Sequence, residues 1–261
     1  MNILEVKNLS IQFGGLKAVD NLSFNVPKKS IYGLIGPNGA GKTTVFNCIS
    51  RFYTQDSGEV LFTPNEKTIE LNKYKVHQVA SLGLVRTFQN VELVKTMTVL
   101  ENLMIGMHHK TKGGVLAQCL GLNNVLKSEK KNRELVLEVL ETLDLQKYAY
   151  EIAGAQPYGV QKRIELARAL VSHPKLIILD EPAAGMNHTE TEELSHLIKK
   201  IRDVYDTTIL LVEHDMGLVM GVCEKLTVIN FGKKIADGTP AQIQQNIAVQ
   251  EAYLGKEKND A

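Results

Sequence analysis

The sequence predicts an α/β protein built on a parallel sheet, and three observations carry that expectation. Two short, continuously apolar runs, residues 176–179 and 209–212, flank a segment in which Leu194, Leu197, Ile198 and Ile201 recur at helical spacing. The order strand, helix, strand points to parallel pairing, because a parallel neighbour can be reached only through a crossover. Strands covered on both faces lose their polar alternation, which accounts for the unbroken Ile, Leu and Val. A third apolar run, residues 31–35, leads straight into a glycine-rich turn and then a helical pattern.

The other elements follow from the same reading. Residues 4–6, 10–13 and 22–26 read as strands, punctuated by Gly14-Gly15 and Pro27-Lys28-Lys29, so the chain starts strand-rich. Residues 42–51 turn helical and 58–62 return to a strand. From 98 to 170 the periodicity is mostly helical: Val136, Leu140 and Leu143 fall at i, i+4 and i+7, which predicts a separate helical lobe. Within it, residues 111–124 are glycine-rich and poor in charge, the composition of a long loop or an insertion. Residues 226–231 and 234–236 predict a hairpin around Gly232, and short helices finish the chain. The expected organisation is a single domain over 1–261. Its core and β lobe cover about 1–88 and 172–240, its helical lobe about 90–171, and its terminal helices about 240–255.

Composition narrows the function classes. A chain of 261 residues with 44% hydrophobic content can bury a sizeable core. Thirty basic against 29 acidic side chains leave a net charge of +1, which argues for no nucleic-acid or anionic-lipid surface in particular, so partners are inferred from sites and no nucleic acid is expected. Cys48, Cys119 and Cys223 form no Cys-x-x-Cys pair, so buried thiols in a reducing compartment are expected. The first residues alternate like a strand, unlike a signal peptide, and no apolar run approaches the roughly 20 residues that cross a bilayer. A cytoplasmic protein that meets a membrane only through another protein is the resulting expectation.

The chemistry concentrates at the ends of the apolar runs. Gly36-Pro37-Asn38-Gly39-Ala40-Gly41-Lys42-Thr43-Thr44 fits G-x-x-x-x-G-K-[ST], placed between a strand and a helix as that phosphate-binding motif requires. Its glycines let successive amides point at one spot, and the helix start adds positive potential there. Lys42 brings a charge to the β and γ phosphates, and the Thr43 hydroxyl is a magnesium ligand candidate. Where the run 176–179 emerges stand Asp180, expected to position magnesium, and Glu181, expected to orient or deprotonate an attacking water. A charged turn at a strand end is common; the phosphate loop upstream is what makes chemistry the better reading. The run 209–212 ends in Glu213-His214, and His214 could hydrogen-bond the γ phosphate or the water.

Five motifs in order, residues 36–44, Gln89, the run around Gly159 before Arg163, Asp180-Glu181-Pro182 and His214, resemble an ABC ATPase over nearly the whole chain. The resemblance implies a P-loop NTPase core with an N-terminal antiparallel β subdomain and an α-helical subdomain, working with ATP and Mg2+. It implies that Gln89 touches the metal and couples to a membrane subunit, that His214 is the switch histidine, and that Phe13 stacks on adenine. Pro157, Tyr158, Gly159, Val160 and Gln161 occupy the signature position, where the family consensus is Leu-Ser-Gly-Gly-Gln. In that family the signature of one subunit completes its partner's nucleotide site. Pro157 has neither a hydroxyl nor an amide proton to offer, so one contact to the opposite site is missing. Asn187 likewise stands where the family's D-loop carries aspartate, and an unequal pair of sites is expected.

Residues 181–187, Glu213-His214-Asp215-Met216 with Leu218-Val219-Met220, and Glu101-Asn102-Leu103 are similar to the ATPases of the branched-chain amino acid importer. The segment 111–124 and the ending Ala252-Tyr253-Leu254-Gly255 resemble the longer of its two ATPases. Implied partners are a second ABC ATPase subunit, integral membrane permease subunits and, indirectly, an extracytoplasmic amino-acid-binding protein, with the chain peripheral on the inner face of the cell membrane. The alternatives are the ATPase of a lipopolysaccharide exporter and a catalytically weak ATP-sensing module.

Overall fold

The computed structural model describes residues 1–87, 91–107 and 123–254. The chain divides into two compact units, Met1–Arg86 with Lys175–Ala261, and Thr87–Pro174.

The first unit holds two sheets. β1 (Asn2–Phe13) and β2 (Leu16–Pro27) form a long antiparallel hairpin, extended on the other edge of β1 by β4 (Ser57–Phe62) and β5 (Ile69–Glu70). Sequence periodicity suggests two strands over the first thirteen residues, whereas the backbone runs as one. The break in alternation is a bulge: Asn8 takes a left-handed φ of 51°, and the pairing with β4 shifts register between Lys7 and Ser10. The second sheet has the order β10-β9-β3-β8-β7-β6. Here β3 is Ile31–Ile35, β6 Leu84–Arg86, β7 Leu176–Asp180, β8 Thr208–Val212, β9 Lys225–Asn230 and β10 Lys233–Gly238. All neighbours from β9 to β6 are parallel, and β10 closes the edge as an antiparallel hairpin partner of β9. β3, β7 and β8 are buried at every position, as their continuous apolar sequences require. The strand β6 escapes sequence reading because only Leu84 and Val85 are apolar within its three residues.

Helices complete this unit. α1 (Lys42–Ile49) follows β3, and the short α2 (Val76–Val79) precedes β6. One core gathers side chains from both sheets and from α1: Leu4, Val6, Phe24, Phe46, Ile49, Phe62, Ile178 and Leu210 belong to a single cluster. Cys48 and Cys223 are buried thiols, pushed up to about 11 and about 12 by desolvation, so both stay protonated at neutral pH. Cys119 lies outside the described residues.

The second unit is helical, with α3 (Val99–Gly106), α4 (Asn123–Thr142) and α5 (Tyr158–Leu170). Val136, Leu140 and Leu143 are fully buried, which is the stripe their spacing predicts. Thr98 caps α3 in a capping box with Glu101, and the buried Asn102 ties the preceding loop to the helix. Its amide accepts from the Val94 N–H at 2.9 Å and donates to the Val94 and Thr98 carbonyls at 3.0 Å each. Residues 111–122 lie outside the described residues. Returning to the first unit, α6 (His188–Tyr205) carries the chain from β7 to β8, burying Leu194, Leu197, Ile198 and Ile201 as expected. α7 (Met216–Val222), α8 (Pro240–Gln244) and α9 (Ile247–Leu254) complete the chain.

Candidate nucleotide-hydrolysis site

The phosphate loop leaves the carboxyl end of β3, the strand flanked by β8 and β9. Its turn depends on two absent side chains. A Cβ on Gly36 would stand 2.1 Å from the Ile229 carbonyl oxygen, and one on Gly41, held at φ 101°, would stand 2.6 Å from the Ala18 oxygen. The hairpin between β9 and β10 supports the loop from behind, since the Gly232 N–H donates to the Ala40 carbonyl at 2.9 Å. Gly41 is also the N-cap of α1 and supplies no side-chain hydrogen bond, so no side chain of its own spends the helix's first amides.

Within the loop Gly36 and Ala40 are buried, Pro37 is half-buried, and Asn38 and Gly39 are exposed. Lys42 folds back over the turn: its Nζ donates to the Gly36 carbonyl at 2.7 Å and to the Pro37 carbonyl at 2.9 Å. Burial pushes its ammonium below the ordinary lysine range, while the charges of Glu181 and then Asp180 hold it up. Both carboxylates therefore act on the loop's lysine. Thr43 is exposed and Thr44 half-buried in the first turn of α1. The Thr43 hydroxyl and the Asp180 carboxylate are hard oxygen donors of the kind magnesium takes. Among the described residues no cluster of three or more His, Cys, Asp and Glu forms a dedicated metal cage.

Asp180 ends β7 and is buried, its Oδ2 accepting from Arg86 Nη2 at 2.7 Å. Glu181 turns the chain off the strand with a left-handed φ of 48°, rare for a residue with a Cβ. Its N–H donates to the Val212 carbonyl at 2.9 Å, which fixes it beside the end of β8. There His214 Nε2 lies 2.7 Å from Glu181 Oε1. The two residues that sequence reading assigned to water activation thus form one hydrogen-bonded pair.

What holds that pair is Glu213, which sequence reading passed over. Only 3% exposed, its carboxylate accepts from the Ala183 N–H at 2.6 Å, the His214 N–H at 2.8 Å and the Asp215 N–H at 3.2 Å. One buried side chain ties the turn after β7 to the turn after β8. An acid between an apolar strand and a histidine was the available signal, but only strand adjacency shows its partners.

Phe13 ends β1 and is 46% exposed, and its ring packs T-shaped with Tyr53 at a centroid distance of 5.3 Å. Gln89 lies outside the described residues. In the second unit, Pro157 is the N-cap of α5 and makes no side-chain cap bond. Tyr158 is exposed and Gly159 and Val160 are half-buried, while the Gln161 amide folds back to the Gln156 carbonyl at 2.7 Å. Asn187 has a local duty: its Oδ1 accepts from the Glu190 N–H at 3.0 Å as the N-cap of α6.

The model of the ABC transporter family matches residues 19–184, the phosphate loop and the acidic strand end included. This chain belongs to the ABC transporter family. It is an ATP-binding cassette, and its chemistry is ATP hydrolysis. A second model, branched-chain amino acid ATP-binding cassette transporter, matches residues 233–259. The chain is 44% identical over 254 residues to the high-affinity branched-chain amino acid transport ATP-binding protein BraF of Pseudomonas aeruginosa, covering 97% of this chain and 98% of that one. It is 42% identical, with the same coverage, to the corresponding protein LivG of Escherichia coli K12. Among solved structures, an ATP-binding cassette of an ABC transporter in its ADP conformation aligns with a TM-score of 0.84 at 32% identity, over 98% of this chain and all of that one.

For an ABC cassette the Glu213 clamp makes a direct prediction. Replacing it (Glu213→Ala) frees three amides and the Glu181–His214 geometry, so ATP turnover should fall by about tenfold to a hundredfold while ATP affinity changes by less than about threefold. Steady-state phosphate release and equilibrium nucleotide binding measure both; parental turnover would remove Glu213 from this role.

Proposed function

We propose that this cassette energises uptake of branched-chain or related amino acids, as the ATP-hydrolysing subunit of an importer. The single observation that carries the catalytic half is the Glu181–His214 pair, 2.7 Å apart, at the strand ends next to Lys42. The transport half rests on the terminal match over residues 233–259 and on relatives named as branched-chain amino acid transport proteins.

The loop amides and Lys42 grip the triphosphate, and adenine stacks on Phe13. Thr43, Asp180 and Gln89 would hold magnesium, which would supply positive charge against that of the phosphoryl group. Glu181 orients the attacking water and takes its proton. His214 holds the Glu181 carboxylate through Nε2 and reaches the γ phosphate when a second cassette closes over it. Closure drives permease subunits in the membrane, and an extracytoplasmic binding protein delivers the amino acid. Those permeases hold the chain at the inner face of the membrane; among the described residues no helix is long and apolar enough to cross it.

Glu181→Gln keeps the shape of the site and removes the proton acceptor. It should bind ATP with parental affinity and accumulate a closed pair of cassettes. Phosphate release should drop by at least about a hundredfold. Size-exclusion chromatography with ATP and single-turnover hydrolysis read the two effects. Parental turnover would eliminate Glu181 as base. Parental-level silence, with ATP bound but never cleaved even beside the membrane partners, would favour an ATP-sensing module instead.

A second reading concerns the opposite site. Pro157 caps α5 with no hydroxyl, so a signature built on it gives the partner's ATP one hydrogen bond fewer. Unequal hydrolysis at the two sites follows. With this chain's own site silenced by Glu181→Gln, adding Pro157→Ser should raise the residual turnover of the assembled transporter several-fold, on the scale of one hydrogen bond to a charged group. No change would show that the signature does not limit the partner's site.

A further inference from the structure

Arg86 is the last residue of β6, and it and Asp180 are 7% and 8% exposed in their side chains. Its Nη1 donates to Asn47 Oδ1 at 2.7 Å and reaches Ser50 Oγ at 3.3 Å, its Nη2 donates to Asp180 Oδ2 at 2.7 Å, and the guanidinium lies 5.9 Å from the Phe46 ring centroid. Asn47, Ser50 and Phe46 come from α1 and the turn that ends it, so the guanidinium is oriented by the helix that begins at Lys42. Stability alone is a poor reason for this arrangement, since a buried ion pair gains little over apolar packing of the same volume. Its position against one oxygen of the aspartate that ends β7, beside a site for a polyanion, is the informative part.

We propose that Arg86 is a positioning residue for Asp180. It occupies Oδ2, which leaves Oδ1 as the oxygen offered to the metal, and it offsets the aspartate's charge so that a triphosphate can settle in the loop before magnesium completes the site. Asn47 and Ser50 hold the guanidinium in the one orientation that serves both ends. Without Arg86 a buried carboxylate that has lost its ion-pair partner faces the phosphates, and nucleotide without metal is repelled more strongly than nucleotide with it. The inference rests on the proposed binding of magnesium-ATP at this loop.

The test is binding, not turnover. For the full-length parent, Arg86→Gln, Arg86→Lys and Asn47→Ala, the dissociation constant of a fluorescent ATP analogue is measured in magnesium and again in EDTA. The ratio of the EDTA value to the magnesium value should rise about tenfold in Arg86→Gln, by two- to threefold in Asn47→Ala, and stay within about twofold of the parent in Arg86→Lys. Should Arg86→Gln fail to fold, the contrast between Arg86→Lys and Asn47→Ala carries the same comparison. A ratio that is flat across the variants while their unfolding midpoints fall would make Arg86 a structural ion-pair partner only and overturn the proposal. A parent that binds the analogue equally with and without magnesium would overturn it together with the magnesium-ATP reading on which it rests.

Discussion

Everything in this cassette hangs on a main-chain turn at the end of a fully buried strand. β3 enters the turn between two parallel neighbours, and Gly36 must pass so close to the Ile229 carbonyl that no side chain fits. That closeness, backed by the Gly232 N–H on Ala40, sets the turn over which Lys42 folds back onto the Gly36 and Pro37 carbonyls. A concavity lined by amides and one ammonium has no use for an apolar ligand and is suited to a polyphosphate.

Strand order then decides what faces that concavity. In the sequence β3-β8-β7-β6 the carboxyl ends of β8, β7 and β6 present His214, Asp180 with Glu181, and Arg86. Each is a charged or titratable group at the rim of an apolar sheet, where water no longer screens it fully and small displacements have large electrostatic effects. Two buried side chains keep the set in register. Glu213 binds three amides across two turns, and Arg86 binds a carboxylate and an amide from two elements.

Legibility in the sequence tracked how local each signal was. The phosphate loop, Asp180, Glu181 and His214 could be read because each sits at the end of an uninterrupted apolar run, and the run itself announces a buried strand. The helical stripes of Val136–Leu140–Leu143 and Leu194–Ile198–Ile201 could be read for the same reason, since the helical period is local. Glu213 and Arg86 could not: a buried charge next to a strand looks like any polar residue until the strand pairing supplies Ala183 or Asp180. The bulge at Asn8 was equally hidden, because one residue in a left-handed conformation breaks the alternation that a strand is recognised by. Asn187, read as a departure from a family pattern, also has a plain local reason to be there as the cap of α6.

The most direct measurement is equilibrium titration of ATP onto the full-length protein and its Lys42→Ala variant, with unfolding midpoints recorded alongside. Loss of two hydrogen bonds to carbonyls should leave the fold intact, while loss of the charge that meets the β and γ phosphates should weaken ATP binding by about a hundredfold. ATP affinity within about twofold of the parent, in a folded variant, would contradict the claim that this loop grips a triphosphate.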